Sequence, residues 1–168
     1  MRSTAQIKTA LFLLLFVIFY GCQYDPYAKD YNTKKPSTVD MVGRYFLEKQ
    51  TVDHDMTDFK NAETQEVVTP EIRIHSNGTY KVMNLPRFNR EGPHEFLGLI
   101  SHDGNWTFTE RGTVDKGGDK LETTWGILLE GLPDEVLVPG IMYNKSPHKL
   151  IFGFGDPDNG NAMLFRRE

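Results

Sequence analysis

The chain holds a single cysteine, Cys22, in 168 residues. No disulfide can form within it, so the fold must be held by its core alone. It lacks an apolar run of the ~20 residues that a membrane-crossing helix needs; its longest, residues 10–20, has 11. Outside that run no stretch repeats apolar residues at the helical period, which excludes a helical bundle. There is no surplus of positive charge. Without residues 1–21, which contain Arg2 and Lys8 and no acid, 17 basic side chains face 23 acidic ones, a net charge of −6. Such a balance argues against a nucleic-acid partner, which requires a concentrated positive face. The serines have no Gly-x-Ser-x-Gly setting, no Gly-rich loop is built to cradle phosphate, and no carboxylate pair stands in an acid/base context. No catalytic residues and no cofactor are expected, and the chain reads as non-enzymatic.

What is present begins at the N-terminus. Arg2 and Lys8 lead into the 11-residue apolar run, followed by Gly21 and Cys22. A basic lead, a short apolar segment and a small residue describe a secretory signal. The ending resembles the bacterial lipoprotein signal, whose cleavage box finishes in a small residue and a lipid-receiving Cys; Tyr20 stands where that family usually has a small residue. The resemblance implies a signal peptide over residues 1–21, cleavage between Gly21 and Cys22, and fatty acyl groups such as palmitate on Cys22. It also implies a lipid-anchored protein of the bacterial cell envelope. By resemblance to enterobacterial lipoprotein sorting, Gln23 rather than Asp after the Cys implies the outer membrane. The alternatives are a signal cut elsewhere, or a buried thiol in a cytosolic protein. Since the acidic chain would not bind an anionic bilayer electrostatically, lipid on Cys22 would do the anchoring.

Residues 22–38 read as a lipidated tether. The 16 residues 23–38 show no apolar periodicity and contain Asp25-Pro26 and Lys34-Lys35-Pro36-Ser37. A flexible chain of that length spans roughly 20–24 Å. Tyr24, Tyr27 and Tyr31 could then reach the headgroup level.

Residues 39–168 form one domain dominated by period-two alternation with turn residues between the runs. Residues 42–47 open it as a strand, and the polar, acidic residues 51–69 read as a long loop or a short helical turn. Residues 71–75 and 79–83 alternate on either side of Ser76-Asn77-Gly78. This predicts a hairpin with a type I′ turn, Asn77 and Gly78 both taking positive φ. Residues 85–95, with two prolines, read as an irregular connection. Residues 96–101 and 105–110 flank Asp103-Gly104 as a second hairpin, and residues 115–119 turn the chain. Strands are expected over 120–130, over 136–144 with a bulge or an edge position at Pro139-Gly140, over 149–155 and over 162–167. About eight or nine antiparallel strands must close into a barrel or stack as a sandwich to hide their edges. The hairpin-after-hairpin order favours the up-and-down barrel.

Gly43-Arg44-Tyr45 in the first strand and Arg166-Arg167 at the end resemble the signature of the lipocalin-like (calycin) barrels. That family has Gly-x-Trp near the start of its first strand and an Arg near the chain end that packs across the barrel base. Gly104-Asn105-Trp106 is similar to a motif of bacterial lipocalin-like lipoproteins. The resemblance implies an antiparallel barrel with one open end, in some members holding a small apolar ligand.

The polar clusters give no metal site. Asp53-His54-Asp55-Met56-Thr57-Asp58 starts like a calcium loop but has Asp where Gly is required and Thr64 where the closing Glu belongs. Asp156-Pro157-Asp158-Asn159-Gly160-Asn161 reads as a hairpin tip. His75, His94, His102 and His148 are scattered, without zinc-site spacing, and read as surface histidines. Asn77 and Asn105 fit the N-glycosylation pattern but read as turn and strand residues. The concentrated resource is apolar. Tyr45, Tyr80, Trp106, Phe108, Trp125, Phe152 and Phe154 alternate inward and are the candidate ligand-facing residues, lining a cavity or filling a core. Two functions remain open. One is an envelope lipoprotein whose barrel binds a small apolar ligand or lipid. The other is a protein-binding module (inhibitor, immunity or assembly factor) acting through its acidic loops.

Overall fold

A computed structural model describes residues 25–52, 59–89, 95–116 and 120–168. Cys22 and the whole proposed signal, the 53–58 cluster, His94 and residues 117–119 lie outside the described residues. A short helix, α1 (Thr38–Met41), precedes eight strands: β1 (Gly43–Gln50), β2 (Glu71–Ile74), β3 (Thr79–Phe88), β4 (Phe96–Asp115), β5 (Leu121–Leu129), β6 (Gly140–Met142), β7 (Lys149–Gly153) and β8 (Ala162–Arg167). Each pairs antiparallel with the next, and β8 returns to β1, closing the barrel in up-and-down order. The expected all-β antiparallel barrel is the fold observed.

Alternation sets which side chains fill it. Tyr45 pairs with Ile72, Ile72 with Val82 and Ile74 with Tyr80, all inward and at most 2% exposed. Ile127, Ile141, Leu150, Phe152 and Phe165 continue this core around the ring. The alternate positions point outward, where Glu71 is nonetheless covered and only 7% exposed. Outside β1 and β2, the Glu71 carboxylate accepts from Arg44 Nε at 2.9 Å and Arg44 NH2 at 3.2 Å, and also from Arg73 Nε. The Arg44 hydrogen bonds, with Arg73 adding to them, hold this carboxyl at about 2, below its ordinary 4.5. A depressed carboxylate stabilises the fold above its unfolded pKa and loses that contribution as pH falls toward the folded value. Because both arginines are screened by water, Glu71→Gln should cost only about 1 kcal/mol at neutral pH. Denaturant titrations should show that difference shrinking toward zero near the folded pKa; a pH-independent difference would contradict the ion-pair account.

The first hairpin forms where expected, with a different turn. His75 N donates to the Thr79 carbonyl (2.9 Å) and Gly78 N to the His75 carbonyl (3.2 Å), making a three-residue loop. Only Gly78 takes a positive φ, 82°. Asn77 instead uses its side chain, Oδ1 accepting from Thr79 N (3.1 Å) and Thr79 Oγ1 (2.7 Å). This is a type I turn closed by a left-handed glycine rather than type I′. A Cβ at Gly78 would meet nothing within 4 Å, so only backbone strain opposes substitution. Gly78→Val should cost about 1–3 kcal/mol and Gly78→Asn distinctly less; thermal melts showing equal losses would contradict this.

Three expectations are corrected. Asp103-Gly104 is not a turn: β4 runs straight through it, pairing with β3 over its first half and β5 over its second. Gly104 is needed for close approach, since a Cβ there would lie 3.1 Å from Tyr80 Cε1 and 2.6 Å from the Glu130 carbonyl oxygen. The Tyr80 hydroxyl donates to that carbonyl at 2.7 Å. Residues 85–88, expected to be irregular, extend β3; a bulge with Asn84 at φ 53° resets the register so that Pro86 pairs with Leu99. The strand expected over 136–144 shortens to β6, because Val136 N closes a turn on the Pro133 carbonyl (2.9 Å) and Pro139 has no N–H to give.

At one end α1 closes the barrel. Met41 is fully buried, and its carbonyl accepts from the Tyr45 hydroxyl at 2.9 Å. Arg167 NH1 donates to the Asp40 carbonyl (2.8 Å), and its side chain lies where a Gly43 Cβ would be. Gly43, Tyr45 and Arg167 therefore meet at this base; Arg166 pairs with Phe46 and is exposed.

Candidate functional site

Of the candidate ligand-facing residues, Tyr45, Tyr80, Trp106, Phe152 and Phe154 sit in the main core, none more than 5% exposed. The Phe152 and Phe165 rings meet edge to face at 5.5 Å, as do Phe88 and Phe154 at 5.3 Å. A ligand at this level would have to displace side chains already in contact. Burial pushes the Tyr45 hydroxyl up to about 12, Arg167 opposing the shift, and burial does the same for Tyr80. Phe108 and Trp125 differ. Both are partly buried, and Lys35 Nζ lies 5.5 Å and 5.1 Å from their ring centroids. The inward indoles thus split into one core ring, Trp106, and one ring covered by a lysine from the N-terminal segment.

That segment is where the structure departs most from expectation. From Asp25 onward the chain is not a free tether. β5 and β6 pair at one position, Gly126 with Gly140, and residues 30–33 occupy the space beside it. Trp125 N donates to the Asn32 carbonyl (3.0 Å) and Asn32 N to the Ile141 carbonyl (2.8 Å). Tyr143 N donates to the Asp30 carbonyl (2.6 Å), and Tyr31 bridges Met142. The segment therefore repairs the wall by satisfying backbone groups on both sides, as any buried sheet edge requires. Asn32 is 1% exposed; its Oδ1 accepts from Lys34 N (2.7 Å) and its Nδ2 approaches Nδ1 of His148 (3.5 Å). His148, expected at the surface, is 3% exposed and also bonds the Tyr143 carbonyl (2.9 Å).

The segment runs between the two barrel ends. Thr33 N bonds Asn144 Oδ1 in the β6–β7 connection (2.7 Å), while the Tyr27 hydroxyl donates to the Gly160 carbonyl in the β7–β8 connection (3.3 Å). Tyr27 and Tyr31 pack on a second, outer apolar cluster of Met142, Ile151, Ala162 and Leu164. In the β7–β8 connection, Asp156 caps the turn at Pro157–Asn159, accepting from Asp158 N at 3.0 Å. Among the described residues, no group of three His, Cys, Asp or Glu side chains is arranged to hold a metal.

No family model, curated protein or solved structure matches this chain.

Proposed function

We propose that the chain is a lipid-anchored lipoprotein of the bacterial cell envelope, held by acyl groups on Cys22, with a non-catalytic, lipocalin-like barrel. Its partner is the membrane, and any small apolar ligand or lipid it takes contacts the barrel wall. The observation that carries this reading is the succession of an 11-residue apolar run, Gly21-Cys22 and, only three residues later, a chain already docked on the barrel. Among the described residues no helix is long and apolar enough to cross a membrane, and a lipid needs none. The meeting of Gly43, Tyr45 and Arg167 at the base supports the lipocalin-like part. The alternative, a protein-binding module acting through acidic loops, draws support from exposed Val67 beside Glu63 and Glu66 in the β1–β2 connection.

Cys22→Ala separates anchoring from other fates. An unprocessed precursor is expected in the membrane fraction. Wild-type-sized protein released in soluble form from the envelope would sink the lipoprotein reading.

A further inference from the structure

The outer face of the barrel carries a groove centred on Arg111 of β4, walled by the N-terminal segment and the β5–β6 and β7–β8 connections. It comprises three adjoining hollows of roughly 440, 340 and 160 Å³, and Arg111 lines all three. Two glycines form the floor. A Cβ on Gly140 would stand 2.7 Å from Arg111 NH1, and one on Gly153 would stand 3.5 Å from NH2. The guanidinium lies against β6 and β7 because those positions carry no side chain. Tyr31 flanks it, its ring centroid 5.7 Å from Arg111 Cζ. Among the described residues no carboxylate comes within 4.0 Å ion-pair distance of Arg111, although Asp25 and Asp115 line the 440 Å³ hollow with it. The 340 Å³ hollow is apolar along one side, through Leu128, Leu132, Val136 and Leu137, with Leu128 exposed and Asp134 at its rim.

These features select a ligand class. A simple anion would suit Arg111 but face Asp25; a simple cation would meet the reverse problem. A dipolar head bearing phosphate and ammonium satisfies both, and an acyl tail matches the apolar side. A fork-shaped guanidinium is the side chain best suited to two phosphate oxygens. Position adds a second argument, which rests on the lipoprotein reading. Asp25 lines two of the hollows, and at most about 3.6 Å of chain per residue separates it from Cys22, roughly 11 Å in all. A lipid on Cys22 would hold this face against the bilayer.

We propose that the groove binds the headgroup of a zwitterionic aminophospholipid of the anchoring membrane. Phosphate lies on Arg111, ammonium lies toward Asp25, and the acyl chain follows Leu128 and Leu137.

The test is native mass spectrometry of the full chain, purified from its membrane in mild detergent. Phosphatidylethanolamine or phosphatidylglycerol of matched acyl length is added. Wild type should retain the ethanolamine lipid at least about fivefold better than the glycerol lipid, the scale of one charge-assisted contact. Arg111→Gln should lower that retention by a similar factor. Asp25→Asn should move the preference toward phosphatidylglycerol. Leu128→Asp, on the exposed side of the groove, serves as an independent probe should Arg111→Gln not fold, and should also reduce retention. Equal retention of the two lipids by wild type, or wild-type retention by folded Arg111→Gln or Leu128→Asp, overturns the proposal. The same spectra read the covalent mass on Cys22. Selective lipid retention without an acyl mass would refute the anchor and leave the groove standing, whereas an acylated protein lacking selectivity would do the opposite.

Discussion

Trp106→Ala is expected to lower the free energy of unfolding by about 3–5 kcal/mol, the cost of emptying a large aromatic from a packed core. Trp125→Ala should cost less than about 2 kcal/mol, since less apolar surface is removed from a partly open site. Trp106 is 5% exposed, meets Phe108 edge to face at 5.3 Å and donates from Nε1 to the His75 carbonyl at 3.0 Å. Its backbone N–H bonds the Gly78 carbonyl (2.9 Å), so the residue also clamps the first hairpin. Loss of the indole leaves a cavity and removes one of the two hydrogen bonds to the His75 carbonyl, which keeps that from Gly78 N. Trp125 has water on one side and Lys35 above it, and truncation lets solvent in rather than opening a void. Denaturant unfolding followed by circular dichroism measures both. Adding fatty acid to wild type should give no saturable change in Trp106 emission. Equal losses for the two variants, or saturable quenching that Trp106→Ala abolishes, would mean that the interior is a binding cavity.

The second large effect is expected at Asn32. Asn32→Pro should cost about 2–4 kcal/mol, because it removes a ladder N–H, strands a buried carbonyl and deletes a bonded side chain. The N–H in question reaches Ile141, and the side chain accepts from Lys34 N and approaches His148. Lys29→Ala, nearby and exposed, should change stability by less than about 0.5 kcal/mol. A true tether would make both substitutions neutral in a thermal melt.

These two residues mark what was legible in the sequence. Alternation over Glu71–Ile74 and from Thr79 identified inward residues correctly, because the strand period is written directly in side-chain polarity. It also delivered the barrel, once the edges had to be hidden. Asp103-Gly104 was misread because a glycine between alternating runs looks the same whether it turns the chain or makes room for Tyr80 and the Glu130 carbonyl. The insertion of residues 30–33 was illegible for a different reason. It is made by backbone N–H and carbonyl groups, which every residue has, so nothing in Asp30-Tyr31-Asn32-Thr33 announces it. Tyr27 and Tyr31, four apart, are the only side chains that hint at it, and they read equally well as solvent-facing. The burial of His148 and the groove at Arg111 follow from that insertion and were hidden with it.

The central claim is that residues 30–33 are part of the barrel wall rather than of a free tether. Hydrogen–deuterium exchange of the full chain, resolved to the amides of Asn32, Trp125 and Tyr143, tests this most directly. Each of these N–H groups bonds across the insertion, to the carbonyls of Ile141, Asn32 and Asp30 respectively. The account predicts protection comparable to the amides of the β7–β8 ladder, since opening them requires opening the wall. Exchange of Asn32 and Tyr143 at the rate of unstructured chain, with β7 and β8 still protected, would contradict it.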